Sequence, residues 1–268
     1  MKFDLHTHHQ RCGHAAGEME DYIQSAIEKG LDVIGMSDHS PYFGEKEDHP
    51  YPGLTMAKSE FDDYIREIQH LKEVYRDQIE VLLGVESDFF PESAKKYNHV
   101  YDKYPLDYII GSVHFVHGIN IFDKTRWDGL GEKQILDVKE EYYRLIEESA
   151  RSGMFQVLGH IDAIKGYFPS ISDVPTHSVD QALKVIADNK VAIEVNTSGK
   201  NKDCGGWYPS DDILERAKFY NIPITLGSDS HVSERIGDDF EKAATFLKSL
   251  GYREWYFFRN KQPVAVPL

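Results

Sequence analysis

The 268-residue sequence has few cysteines, a shortage of positive charge and no long hydrophobic run, and each shortage excludes a class of protein. Cys12 and Cys204 are too few for a disulfide framework. With 30 basic against 45 acidic residues the formal charge is −15, which argues against binding nucleic acid through a basic surface. Apolar runs such as Trp255–Phe258 fall far short of the about 18 residues that span a membrane. We therefore expect a cytoplasmic protein with neither a nucleic-acid nor a membrane partner.

The remaining composition predicts a packed α/β protein. The hydrophobic fraction of 41% is sufficient for a core, and no repeat, low-complexity tract or linker divides the chain, so we expect one domain over residues 1–268. Amphipathic segments separate seven short apolar runs, an alternation that predicts parallel βα units. The predicted strands are Lys2–His6, Asp32–Ser37, Glu80–Val85, Tyr108–Ser112, Gln156–Gly159, Val191–Val195 and Pro223–Gly227.

Histidines are concentrated where the predicted strands end. Of the 13 histidines, seven end or closely follow a predicted strand, namely His6, His8, His14, His39, His114, His160 and His231. Two carboxylates, Glu86 and Asp229, have the same placement. Side chains at the carboxyl ends of many parallel strands converge only if the strands form a ring, and such barrels carry their active sites at that end. The pattern therefore predicts a barrel with a polar site at the carboxyl ends of its strands.

Metal binding explains why so many polar side chains would converge. Buried imidazoles and carboxylates without partners are costly, whereas metal ligands are satisfied. His6 and His8 are two residues apart on a strand, share one face and can reach the same ion. Imidazoles with two carboxylates favour zinc, iron or manganese over magnesium or calcium. We expect bound transition-metal ions, with zinc preferred.

These residues occur in motifs that resemble the PHP (polymerase and histidinol phosphatase) family of metal-dependent phosphoesterases. The matching motifs span nearly the whole chain: His6-Thr-His8, Ser37-Asp-His39, Glu86, Gly111-Ser-Val-His114, Gly159-His160 and Gly227-Ser-Asp229-Ser-His231. The run from His6 to His14, the Tyr108–His114 segment and the ending Gly251–Phe257 are similar to the monofunctional histidinol-phosphatases of that family.

The resemblance implies a distorted (βα)7 TIM-like barrel with three divalent metal ions. By this resemblance His6, His8, Glu86 and Asp229 hold the first ion, and Glu86 bridges to a second ion completed by His114 and His160. His14, His39 and His231 would hold the third ion. Glu86, Asp229 and His231 are then the expected catalytic residues. Because every ligand of the pattern is present, a degenerate member without turnover is disfavoured.

The resemblance also implies a small phosphate monoester, L-histidinol phosphate, as the substrate in histidine biosynthesis. Five residues are candidates for substrate contacts: Arg11 in the His6–His14 loop, Lys165 after His160, Asn196 at the sixth strand end, and Tyr42 and Phe43 in the loop 41–55. Other functions remain open at this point. They are a different PHP phosphoesterase acting on nucleotides or sugar phosphates, a metal-binding module without turnover, and an amidohydrolase-like barrel. The sequence does not predict the oligomeric state.

Overall fold

The structure, a computed structural model, describes residues 1–268. Eleven strands lie along the chain, and seven of them form one parallel sheet with the order β1-β2-β3-β4-β7-β8-β9. The strands are β1 (Phe3–Asp4), β2 (Val33–Met36), β3 (Glu80–Asp88), β4 (Tyr108–Ser112), β5 (Phe115–Val116), β6 (Ile119–Asn120), β7 (Val157–Leu158), β8 (Ala192–Asn196), β9 (Ile224–Gly227), β10 (Glu254–Arg259) and β11 (Gln262–Pro267).

Seven helices surround the sheet, and each buries one apolar face. In the second helix Phe61, Tyr64, Ile68 and Leu71 recur at spacings of three and four residues, and all four are buried. The helices are α1 (Met19–Glu28), α2 (Phe61–Tyr75), α3 (Ala94–Tyr101), α4 (Glu132–Arg151), α5 (Ser178–Asn189), α6 (Asp211–Phe219) and α7 (Phe240–Ser249). No helix combines the length and the apolar character needed to cross a membrane.

The sheet curls until its first and last strands meet. The backbone N–H of Leu5 donates to the carbonyl of Leu226 at 3.1 Å, and Thr7 pairs in parallel with Ser230 just beyond β1 and β9. The result is a nearly closed barrel, and the predicted α/β barrel is confirmed. All seven predicted strands are barrel strands, although β3 continues to Asp88, three residues beyond its predicted end.

A tyrosine fills the middle of the barrel. The hydroxyl of Tyr108 in β4 reaches across to donate to the carbonyl of Leu5 at 2.5 Å. Its ring passes Gly35 and Gly84, where an added Cβ would lie only 2.0 and 2.3 Å from the tyrosine. Large and small residues thus complement each other, as close packing requires.

Two antiparallel hairpins were not predicted from the sequence. The hairpin β5–β6 follows β4 along the chain, and the hairpin β10–β11 follows α7. Trp255 and Phe257 of the second hairpin pack on Phe3, and their ring centres lie 5.1 and 5.8 Å from the ring centre of Phe3. This contact explains why the apolar run near the carboxyl end of the chain is buried.

Candidate metal centre

The residues that follow the barrel strands meet at the carboxyl end of the barrel. Six of the seven barrel strands deliver between one and three of these side chains to a common volume. The structure brings together His6, His8 and His14 after β1, His39 after β2, Glu86 in β3, His114 after β4, His160 after β7, and Asp229 and His231 after β9.

The first group of facing atoms surrounds Oε2 of Glu86. Nε2 of His6 and Nε2 of His8 lie 3.3 and 3.6 Å from this oxygen. The same two nitrogens lie 3.8 and 3.1 Å from Oδ1 of Asp229. Nitrogen and oxygen ligands lie about 2.0–2.2 Å from a tetrahedral zinc ion, which places neighbouring ligand atoms about 3.3–3.6 Å apart. The four side chains have close to the spacing of one coordination sphere.

A second group surrounds the other oxygen of the same carboxylate. Nε2 of His160 lies 3.0 Å from Oε1 of Glu86, and Nε2 of His114 lies 3.6 Å from it. The two histidine nitrogens are 3.3 Å apart. Because Glu86 presents a different oxygen to each group, its carboxylate joins the two groups.

A third pair of nitrogens lies at the rim, where Nε2 of His14 and Nε2 of His231 are 3.0 Å apart. Nδ1 of each ring faces a backbone carbonyl, which only accepts, so Nδ1 carries the proton. Burial lowers the pKa of His14 to about 4 and that of His231 to about 3. Both rings are therefore neutral at pH 7 and turn lone pairs toward each other, an arrangement that a cation between them would stabilise.

His39 lies between the groups rather than within one of them. Its Nδ1 is 2.9 Å from Oε2 of Glu86, and its ring centre is 4.3 Å from that of His8 and 5.1 Å from that of His14. One potential ligand triad joins His39 to His8 and His231, and another joins it to Glu86 and His114. Its expected assignment to the third ion stays a prediction.

The polar atoms of the site need a partner that the protein does not supply. Nε2 of His6, Nε2 of His8 and Oε2 of Glu86 are buried without a hydrogen-bond partner. Each such atom costs about 1–3 kcal/mol or more if charged. Burial alone would raise the pKa of Glu86, but the surrounding imidazoles, His39 foremost, hold it well below its usual range. The carboxylate is therefore ionised, and this donor set fits metal ions.

A second layer of carboxylates orients the histidines. Oδ1 of Asp38 lies 3.2 Å from Nδ1 of His8, and Oδ1 of Asp88 lies 3.0 Å from Nδ1 of His114. A carboxylate on Nδ1 fixes the proton there and leaves Nε2 free for a metal, the usual arrangement around metal-binding histidines. Neither aspartate was predicted from the sequence to have a role at the site. The signal was available, because Asp88 is two residues from Glu86 and so shares its face of β3.

Glu194 is the third supporting carboxylate and was also missed. Its Oε1 lies 2.7 Å from Nδ1 of His6, and its Oε2 accepts from the backbone N–H of His160 at 3.1 Å and from Nδ2 of Asn196 at 2.9 Å. The side chain fits only because Gly227 faces it, where an added Cβ would lie 1.8 Å from Oε1. A buried charge inside an otherwise apolar strand was the sequence signal for this role.

A cavity of about 490 Å³ opens above the ligand groups. Two cationic side chains line it, Lys202 after β8 and Arg235 after β9. Nε of Arg235 pairs with Asp238 at 3.0 Å, whereas Lys202 has no carboxylate within ion-pair distance. Other lining residues are Tyr42, Leu54, Asp88, Phe115, Asn120, Phe122, Ser198, Asn201 and Val232.

Three of the expected substrate contacts do not reach this cavity. Arg11 pairs with Glu67 at 2.6 Å. Lys165 is buried against Asp162 at 2.7 Å and lines a different cavity. Phe43 is buried in an aromatic cluster with ring centres of Phe61, Tyr97 and Tyr101 within 5.9 Å. Ion pairing and core packing occupy these side chains, and sequence position alone could not reveal that.

The other two expected contacts lie at the site in different ways. Tyr42 lines the cavity and its hydroxyl donates to Oδ2 of Asp88 at 2.8 Å. Asn196 lies below the cavity, where Nδ2 donates to Oδ2 of Asp229 at 3.3 Å as well as to Glu194. The structure therefore makes Asn196 an orienting residue for Asp229.

A parallel barrel whose strand ends bring imidazoles and carboxylates together around one shared carboxylate, here Glu86, is typical of a metal-dependent enzyme. The PHP domain model matches residues 4–198, and the chain belongs to this family. The match covers the candidate ligand residues from His6 to His160.

Two relatives and one solved structure are similar over nearly their whole length. A probable histidinol-phosphatase of Deinococcus radiodurans is 34% identical over 262 residues, which covers 97% of this chain and 98% of the relative. The histidinol-phosphatase of Bacillus subtilis is 31% identical over 261 residues, with 90% and 97% covered. A crystal structure of histidinol phosphate phosphatase from Lactococcus lactis with Zn, L-histidinol and phosphate has a TM-score of 0.81 at 22% identity, covers 98% of each chain and supports the fold.

Proposed function

We propose that this protein is a histidinol-phosphatase, which hydrolyses L-histidinol phosphate to L-histidinol and phosphate in histidine biosynthesis. Full-length similarity to histidinol-phosphatases supports this proposal. The observation that carries it is the carboxylate of Glu86, whose two oxygens face two separate groups of imidazole nitrogens beneath an open cavity. The proposal treats residues 1–268 as one catalytic domain, and a biosynthetic role agrees with the cytoplasmic location expected from the sequence.

We propose three divalent transition-metal ions, with zinc preferred and iron or manganese as alternatives. The ligand sets would be His6, His8, Glu86 and Asp229 for the first ion, Glu86, His114 and His160 for the second, and His14, His39 and His231 for the third. Bound ions would supply a water activated at neutral pH and stabilisation of the phosphoryl oxygens. Nitrogen-rich donor sets favour these metals over magnesium and calcium.

The chain's own residues arrange the charges around the phosphoryl group. Glu86, Asp229 and His231 would act in catalysis by holding the ions, and the negative charge of Glu86 would offset the repulsion between two of them. The ammonium of Lys202 has no protein counterion and lies on the cavity wall, so it is available to a phosphate oxygen. Asp38, Asp88 and Glu194 keep the histidine rings in the orientation that presents Nε2.

Substrate discrimination tests the proposed function. We expect kcat/KM for L-histidinol phosphate to exceed that for p-nitrophenyl phosphate and for AMP by at least ~100-fold, the scale of a few good polar contacts to the leaving group. Steady-state phosphate release with one metal-loaded preparation measures all three values. Similar kcat/KM for the three substrates would contradict the proposal and indicate a broader PHP phosphoesterase.

A further inference from the structure

A second, smaller cavity of about 180 Å³ lies next to the metal cavity. Tyr42 and Phe115 line both cavities, so the two spaces are neighbours. The walls of the smaller cavity are mostly aromatic, and two carboxylates lie among them. We call it the aromatic cage and define it by Tyr42, Tyr51, Phe90, Tyr97 and Phe115 with Glu45 and Glu92.

The rings of the cage stand at steep angles around Tyr42. Tyr51 and Phe90 have ring centres 5.2 and 5.4 Å from that of Tyr42, at interplanar angles of 71° and 90°. Phe115 stands at 77° to Tyr42 with a centre distance of 6.4 Å. The hydrogen bond from Tyr42 to Asp88 fixes the ring from the metal side. Because the ring planes differ in direction, the aromatic side chains surround the cavity on several sides and leave space for a small group.

The two carboxylates of the cage have no protein counterion. Glu45 and Glu92 are exposed and form no ion pair. The nearby ammonium of Lys58 donates to the backbone carbonyl of Glu45 at 2.8 Å, and that of Lys96 donates to the carbonyl of Gly44 at 3.4 Å. Both lysines are thus directed to the backbone, and the two negative charges remain available to a ligand.

Aromatic faces combined with free carboxylates are the chemistry that recognises an organic cation. We propose that the aromatic cage binds the cationic end of the substrate's leaving group, an ammonium or imidazolium group, while the phosphate lies at the metal centre. This inference rests on the proposed function for the identity of the leaving group. The chain segments that form the cage are the loop after β2, the segment after β3 with the start of α3, and β5.

The carboxylates provide the direct test. The double variant Glu45→Gln/Glu92→Gln keeps the shape of both side chains and removes both charges. Isothermal titration calorimetry of the metal-loaded protein with L-histidinol measures the Kd of binding at the aromatic cage without turnover. We expect the Kd for L-histidinol to rise about fivefold at low ionic strength and by less at 0.5 M salt, because exposed charge pairs are screened. Phe90→Leu should also raise this Kd, through loss of one aromatic face.

A matched control comes from the same loop. Glu47 is exposed and lines neither cavity, so Glu47→Gln should leave the Kd for L-histidinol unchanged. Titration with inorganic phosphate should give equal Kd values for the wild type and the double variant, since phosphate has no cationic end. An unchanged Kd for L-histidinol in the double variant would overturn the cage, as would a wild-type protein that does not bind L-histidinol.

Turnover separates this inference from the proposed function. If the wild type binds L-histidinol through Glu45 and Glu92 but does not hydrolyse L-histidinol phosphate, the proposed function fails and the cage stands. If hydrolysis is efficient and the double variant retains the full ratio of kcat/KM between L-histidinol phosphate and p-nitrophenyl phosphate, the cage fails and the function stands.

Discussion

Glu194 is not one of the proposed metal ligands, yet removing its charge should weaken metal binding. Both oxygens of this buried carboxylate accept from N–H donors, Oε1 from His6 and Oε2 from His160 and Asn196. In Glu194→Gln one oxygen becomes an NH2 group, which then faces an N–H donor in either orientation. If the NH2 group faces His6, the ring can accept it only by moving its proton to Nε2, and that nitrogen can then no longer bind a metal ion.

The expected loss of metal affinity follows from the one buried hydrogen bond that Glu194→Gln breaks. One buried donor left without an acceptor costs about 1–3 kcal/mol. Since about 1.36 kcal/mol corresponds to a factor of ten, the expected loss is roughly 5- to 150-fold. Losses of about 10- to 100-fold in metal affinity or activity are usual for groups that orient metal-binding histidines. We therefore expect a loss of about 10- to 100-fold in metal affinity for Glu194→Gln.

Metal affinity is measured by competition with a chelator, with elemental analysis of the dialysed protein and kcat/KM as further readings. Glu28→Gln is the matched control, because Glu28 is exposed on α1 and forms no ion pair. Circular dichroism of both variants checks that the barrel is folded. Metal affinity and kcat/KM within twofold of the wild type in Glu194→Gln would refute the orienting role.

Two further substitutions test other parts of the site. Glu86→Gln should lower turnover by at least ~1000-fold, because it removes a carboxylate shared by two ligand groups. The control His70→Gln, on the exposed face of α2, should leave turnover unchanged. Near-normal turnover of Glu86→Gln with its metals retained would show that the carboxylate does not join two ions. Lys202→Gln should raise both KM and the inhibition constant for inorganic phosphate about tenfold with little change in kcat, as expected for one charged hydrogen bond at a half-buried site. Lys124→Gln is its control, because Lys124 pairs with Asp203 and does not line the cavity, and equal inhibition constants for the two variants would argue against a phosphate contact.

The barrel was predictable because its strands are short, apolar and separated by amphipathic helices. Each predicted strand overlaps a barrel strand, and the histidines that end or closely follow five of the seven predicted strands gave the direction of the site. The hairpins β5–β6 and β10–β11 were not predicted, because β5 and β6 have only two residues each and the turn Asn260-Lys261 between β10 and β11 has positive φ angles without the glycine that usually marks such a turn. In particular, the run around Trp255 reads equally as a strand or a buried turn until its contact with Phe3 is known.

Candidate ligands were more predictable than substrate contacts for a physical reason. A candidate metal ligand such as His114 is recognisable from its residue type and its place at a strand end. A substrate contact depends on which charges are already paired. Arg11 is paired with Glu67, whereas the ammonium of Lys202 has no carboxylate partner and lies 5.3 Å from the ring centre of Phe122. Long-range pairing of this kind connects residues 56 positions apart and leaves no local pattern in the sequence.

The dependence of phosphate release on bound metal ions is tested by following the metal content and the rate of phosphate release together. Phosphate release from L-histidinol phosphate is measured on one preparation before chelation, after chelation with elemental analysis confirming removal, and after addition of zinc, iron or manganese. We expect more than one transition-metal ion per chain at the start, no measurable release from the metal-free protein, and recovery with at least one of the three metals. Full phosphate release by verified metal-free protein would contradict the account.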